Sequence, residues 1–109
     1  MEFTIKDLKE LFGMQQKQPE SILKEGQNVF VRTVTYHYTG KIKTINLPAK
    51  EISLVDAAWI ADSGRFANAM KTGDFSEVEP YPDNFELVIN TQAIIEKGII
   101  DFPLPRGQK

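Results

Sequence analysis

The sequence predicts a mainly β (α+β) domain: a small five-stranded barrel with an N-terminal helix and a short helical insertion between strands 3 and 4. Three observations carry this. Residues 28–60 are dense in alternating β-branched and aromatic side chains, which pack well on a pleated surface. Two stretches, 3–12 and 63–72, instead repeat apolar residues at helical spacing. The chain has 109 residues, 41% of them hydrophobic, enough for one packed core in one domain.

The elements follow in order. In residues 3–12, Thr4 is a plausible N-cap, with Asp7 three residues on as an acidic variant of the capping box. Ile5, Leu8, Leu11 and Phe12 form one apolar face, and Gly13 ends the helix. So short a helix is marginal alone and must dock on the domain or on a neighbouring subunit. Residues 14–27 are polar and read as a loop with one helical turn around Ser21 to Lys24, pinned by Ile22 and Leu23.

From Asn28 to Tyr38 the texture is that of a strand. Alternation puts Val29, Val31, Thr33 and Thr35 on one face, and Phe30, Arg32, Val34, Tyr36 and Tyr38 on the other. Both faces are partly apolar, so the strand is either buried on two sides or bent. Gly40 marks a bend, bulge or turn. Lys41 to Ile45 form a half-exposed strand with Ile42 inside, and Asn46 to Lys50 form a turn around Pro48. Glu51 to Val55 form the third strand, with Ile52 and Leu54 on one face, running out through Asp56 to Ile60.

The insertion occupies residues 61–83. Ser63 is the expected N-cap, Asp62 adds negative charge at the helix start, and Phe66, Ala69 and Met70 face the core. Gly73 ends the helix. Residues 74–86 hold five acidic and no basic groups, and Pro80 and Pro82 stiffen them as an extended acidic loop. Phe85 to Asn90 alternate as a strand, with Phe85, Leu87 and Ile89 together. Thr91 to Asp101 form a last strand, or a helical turn followed by one, with Gly98 marking a bulge or tight turn. The tail, with Pro103 and Pro105, is irregular. It either clamps its own fold or docks on a neighbour.

Within this order, residues 28–56 resemble the Sm-like barrels, including the bacterial Hfq-type proteins. A Val-rich strand leads to Gly40-Lys41-Ile42-Lys43, and a third strand, Glu51-Ile52-Ser53-Leu54-Val55, ends in Asp56-Ala57. The resemblance implies an SH3/Sm-type barrel in a ring of subunits. It does not carry RNA binding, because the Sm RNA-binding loops are not recognisable and about 28 residues separate the third and fourth strands. That gap far exceeds a hairpin loop of two to five residues. The whole chain also resembles small uncharacterised proteins of bacteria and their phages, through Val31 to Gly40, Asp56 to Phe66, Glu77 to Pro80 and Pro103 to Pro105 with Gln108 and Lys109. That resemblance implies no particular chemistry.

Composition narrows the function classes. Net charge is −2, which gives no general pull toward nucleic acid or anionic membrane. Residues 1–50 are net +3 and residues 51–109 net −5. The split is either chance on a solvated surface or complementarity between subunits. There is no cysteine, so disulfides, thiolate metal sites and cysteine nucleophiles are excluded. No apolar run approaches the roughly 20 residues that span a bilayer, and the mixed-charge N-terminus does not read as a signal peptide. A cytoplasmic protein without a membrane partner is expected. No cofactor and no metal site is expected: His37 is the sole histidine, and the acidic residues 74–86 lack the spacing and glycine of an EF-hand.

Two patches are candidate sites. Arg32, Tyr36, His37 and Tyr38 set aromatics beside a cation, which suits stacking on a base or nucleotide. They serve equally as barrel cover. Trp59, Asp62, Arg65 and Phe66 flank the helix start, where Arg65 and free N–H groups suit a small anion. Ser63 lacks the setting of a nucleophile elbow. The leading expectation is a non-enzymatic homo-oligomeric assembly or binding protein. The alternatives are a small-ligand or nucleotide binder and, less favoured, an RNA- or DNA-binding protein. A hydrolase built on His37 with Asp56 or Asp62 ranks last, since no catalytic constellation is recognisable.

Overall fold

The computed structural model describes residues 23–109, so the expected helix at 3–12 lies outside the described residues. Among the described residues there are six antiparallel strands: β1 (Asn28–Thr33), β2 (His37–Asn46), β3 (Glu51–Asp62), β4 (Glu77–Pro80), β5 (Leu87–Asn90) and β6 (Ile94–Ile99). One helix, α1 (Phe66–Thr72), joins β3 to β4, and a 3₁₀ turn at Thr91–Ala93 joins β5 to β6. The order across the sheet is β4-β3-β2-β1-β6, with β5 on the first half of β3. The sheet is mainly β as expected, but it curls without closing. No ladder joins β5 to β6, so the five-stranded barrel becomes an open six-stranded sheet.

The stretch 28–38 is two strands, not one. Thr33 turns the chain: its N–H and hydroxyl both donate to the Tyr36 carbonyl, at 2.8 and 2.9 Å, and the Tyr36 N–H donates back to the Thr33 hydroxyl at 3.0 Å. A threonine side chain closing a local turn carries no Gly or Pro signal, so β-propensity hides it. The next turn matches its reading. The Asn46 side chain accepts from the Ala49 N–H at 3.1 Å, and Lys50 adopts φ 57°.

Gly40 does sit in a bulge. Thr39 pairs with Ala58, but Lys41 pairs with Val55, so an extra residue lies on β3, where Asp56 takes φ 50°. A Cβ on Gly40 would lie 2.9 Å from the Leu54 Cβ, so only glycine lets the strands approach this closely. The bulge also reverses the alternation. Ile52 and Leu54 share a core with Ala57, whereas Ala58 and Ile60 belong to the opposite side.

The sheet is consequently covered on both faces. The inner face holds Leu23, Val29, Val31, Ile42, Ile52, Leu54, Ala57 and Ile89. The outer face holds Phe30, Ala58, Ile60, Ala69, Phe75, Val78, Ile100 and Phe102, capped by α1, β4 and the tail. Leu23 is buried in the inner core, while Ile22 and the loop before it lie outside the described residues. Ser63 does not cap the helix. The helix begins at Phe66 with Arg65 in the N-cap position and no side-chain capping bond, while Gly73 ends it at φ 77° as read. The acidic stretch is not merely a loop. Its charged residues face out, while Phe75 and Val78 are 1% exposed and β4 pairs with β3. Gly98 sits inside β6 opposite Phe30, and the register shift of that pair falls between Arg32 and Thr33 instead.

The tail clamps its own fold. Lys109 and Val78 exchange both backbone hydrogen bonds, at 3.0 and 3.1 Å. Arg106 donates to the carbonyls of Ala57 at 2.8 Å and Tyr81 at 2.9 Å, and to the Asp83 carboxylate at 2.7 Å.

Candidate functional site

The expected residues fall into two groups, because strand alternation sends neighbours to opposite faces. Tyr36, Tyr38 and Trp59 meet on the inner side and, with Tyr81, line a cavity of about 200 Å³. Tyr38 pairs directly with Trp59 across β2 and β3. Tyr36 enters from the Thr33 turn, and Tyr81 is placed by its N–H bond to the Ala57 carbonyl at 2.8 Å. The rings stand as walls. Tyr36 and Trp59 are 5.6 Å apart at 90°, Tyr36 and Tyr38 6.3 Å at 59°, and Tyr38 and Tyr81 6.5 Å at 41°. Phe85 stacks behind Tyr81 at 5.2 Å. Tyr36 is 47% exposed and Trp59 36%, so the cavity opens to solvent.

The electrostatics are those of π faces with an acidic edge. Burial, then the Tyr81 and Tyr36 phenols, raise Tyr38 above the ordinary phenol pKa of 10.0, so its ring stays neutral across the physiological range. No lysine or arginine lines the cavity. Glu79 stands beside Trp59 on the adjacent strand and accepts from the neutral Gln108 amide at 3.0 Å. Arg106, behind Tyr81, is committed to two carbonyls and Asp83.

The second group lies on the outer side. His37 packs edge-on against Phe30 at 5.5 Å, and Phe66 does the same at 5.9 Å. Arg32 pairs with His37 in register, and its Nε lies 2.6 Å from the Glu96 carboxylate. Phe30, Phe66, Met70, Glu96, Lys97 and Gly98 surround a shallow depression of about 170 Å³. Arg65 is exposed at the helix start, away from the aromatic walls, and Asp62 accepts from the Gly64 N–H at 2.8 Å. Neither Arg32, expected beside the tyrosines, nor Arg65, expected beside Trp59, is among the cavity walls. Tyr81 was missed because two prolines in an acidic stretch read as solvated loop. Its signal was a large aromatic between them.

Among the described residues no three His, Asp or Glu side chains gather in a way that would hold a metal ion. None of the described helices is long and apolar enough to cross a membrane.

Fold and cavity together define a small, mainly β domain with an open aromatic site. No protein-family model matches the chain, and no curated protein matches it. Among solved structures the chain is similar to a heptameric archaeal Sm protein, at 14% identity, over 70% of this chain and 88% of that one, with a TM-score of 0.49.

Proposed function

We propose that this protein is a non-enzymatic binding module whose ligand enters the cavity of Tyr36, Tyr38, Trp59 and Tyr81. The observation that carries the reading is the wall itself: four aromatic rings converge on an open cavity with Trp59 and Tyr36 exposed. Exposed aromatics cost hydration and are typical of binding surfaces. The volume is below the roughly 300–1,000 Å³ of a drug-sized site, so the cavity fits one head group, not a whole nucleotide.

Trp59 is the sole tryptophan, so its emission reports the site directly. Titration with a panel of nucleotides, planar heterocycles and organic cations is expected to change that emission for at least one class, and Tyr36→Leu to weaken the response. A flat response across the panel at millimolar concentration sinks the reading.

A second reading, self-assembly, draws on β6. Its outer edge pairs with no strand among the described residues, and Ile95 and Ile99 are about half exposed on it. Unpaired edges invite another strand. Light scattering at micromolar concentration should then give a multiple of the 12.4 kDa chain mass, and a monomer mass would refute it. Nucleic-acid binding is less favoured, since the cavity lacks basic walls. Its sign would be affinity that falls steeply with salt. We place the protein in the cytoplasm of a bacterium or phage-infected cell, on the resemblance and on its cysteine-free composition.

A further inference from the structure

We infer that the aromatic cavity is a cage for an N-methylated ammonium group. This rests on the reading of the cavity as the ligand site and names the chemistry it takes.

Three features select a cation over a flat base or an anion. The first is wall geometry. A base is held best between parallel rings, but Tyr36 and Trp59 stand at 90° and Tyr38 is tilted 59° from Tyr36. Walls at large angles enclose a rounded head group and present more than one π face to it. The second is charge. Ring faces carry negative quadrupole potential and attract ammonium groups, Trp most strongly. The cavity has no lysine or arginine wall to repel a cation or bind a phosphate. Glu79, beside Trp59, adds a carboxylate at the edge, and the charge of Arg106 is matched by Asp83. The third is desolvation. A methylated ammonium sheds water more readily than a primary ammonium and fills apolar walls with its methyl groups, so it suits a cage with few hydrogen-bond acceptors. The Tyr38 phenol remains neutral, so the attraction comes from the rings and not from a phenolate.

The chemistry is the same whether the group belongs to a free choline-type molecule or to a methylated lysine side chain. The test uses the intact chain and Trp59 emission, with heteronuclear NMR as a second readout. The probes are choline, 3,3-dimethylbutan-1-ol as its uncharged isostere, N-trimethyllysine within a short peptide, and the same peptide with unmodified lysine. Choline or the trimethylated peptide is expected to bind about ten- to thirtyfold more tightly than its uncharged or unmethylated counterpart. Whichever of the two binds more tightly identifies the source. Tyr36→Leu, which keeps apolar bulk at an exposed position, is expected to lower that affinity about tenfold with the far-UV spectrum unchanged. Glu79→Gln should lower it less.

Equal binding of choline and its uncharged isostere overturns the cage while leaving a ligand site in place. So does binding of a heterocycle or nucleotide with no response to either cation. No response to these probes overturns the cage, and no response to the nucleotides and heterocycles as well removes the binding module with it.

Discussion

Tyr36, His37 and Tyr38 are consecutive, yet they serve two different regions. Tyr36 and Tyr38 open the inner side as walls of a cavity. His37 turns to the outer side and packs on Phe30 beneath a second layer of helix, strand and tail. The two sides differ in how they are finished. The outer face is covered apart from the shallow depression beside Phe66. Phe75 lies between Phe30, at 6.3 Å, and Phe102, at 6.0 Å, and the tail is stitched to β4. The inner face is packed along β1, β2 and the first half of β3, with one cavity between Leu23, Ile45, Ile52 and Ile94 and another where the aromatic rings stand. The layer over the outer face adds a second core to the fold, and the aromatic end of the inner face presents its rings to solvent.

The sharpest way to break this contrast is Phe75→Ala. If the outer layer is a true second core, the change should destabilise by about 3–5 kcal/mol in chemical denaturation. A loss below about 1 kcal/mol would make that layer a dispensable cover. Gly40→Ala comes next. Its Cβ would press on Leu54 within a packed bulge, so about 1–3 kcal/mol should be lost, and no loss would mean the bulge yields freely. Arg106→Ala removes one donor each from the Ala57 and Tyr81 carbonyls and from Asp83, and should cost about 1–2 kcal/mol. Because the Tyr81 carbonyl is one of the two, the Trp59 response to ligand should weaken as well.

Tyr36→Leu belongs to the open side and should leave stability within about 0.5 kcal/mol. A larger loss would make the cavity wall part of the core. The smallest effect concerns pH. The hydrogen bond from Lys109 and then its charge lower the Asp74 pKa, and the Ser53 hydroxyl followed by Lys43 lowers that of Glu86. A folded-state pKa below the unfolded one contributes stability that is present above the unfolded values of 3.8 and 4.5. That contribution is lost as pH falls through the folded values. Asp74→Asn with Glu86→Gln should flatten the acid limb of a thermal-denaturation profile. Since both groups are exposed, an unchanged limb would show that solvent screens them fully.

Much was legible before any tertiary structure. Alternation and β-branching located β2, β3 and β5, because a half-buried strand must repeat every second residue. Gly73 stopped its helix, and Gly40 marked its bulge, because each position excludes a Cβ. The strand-like texture of 28–38 concealed the Thr33 turn, which is built by a side chain and not by a backbone breaker. β4 was hidden among acids and prolines, since an edge strand with solvated side chains has no apolar period to show.

Of the candidate residues, Tyr36 and Tyr38 from one patch and Trp59 from the other meet at one cavity, whereas Arg32, Asp62 and Arg65 are not among its walls. By itself the sequence determined the β-rich class, the turns at special backbone angles and the aromatic supply, all of which depend on local sterics and period. Only the tertiary structure decided which aromatics meet. A single extra residue at Asp56 reverses the facing of the rest of β3. That reversal sets Trp59 against Tyr38, while a tail bond at Arg106 and a backbone bond to Ala57 bring Tyr81 to close the wall. Facing depends on register, and register is settled between strands far apart in the chain.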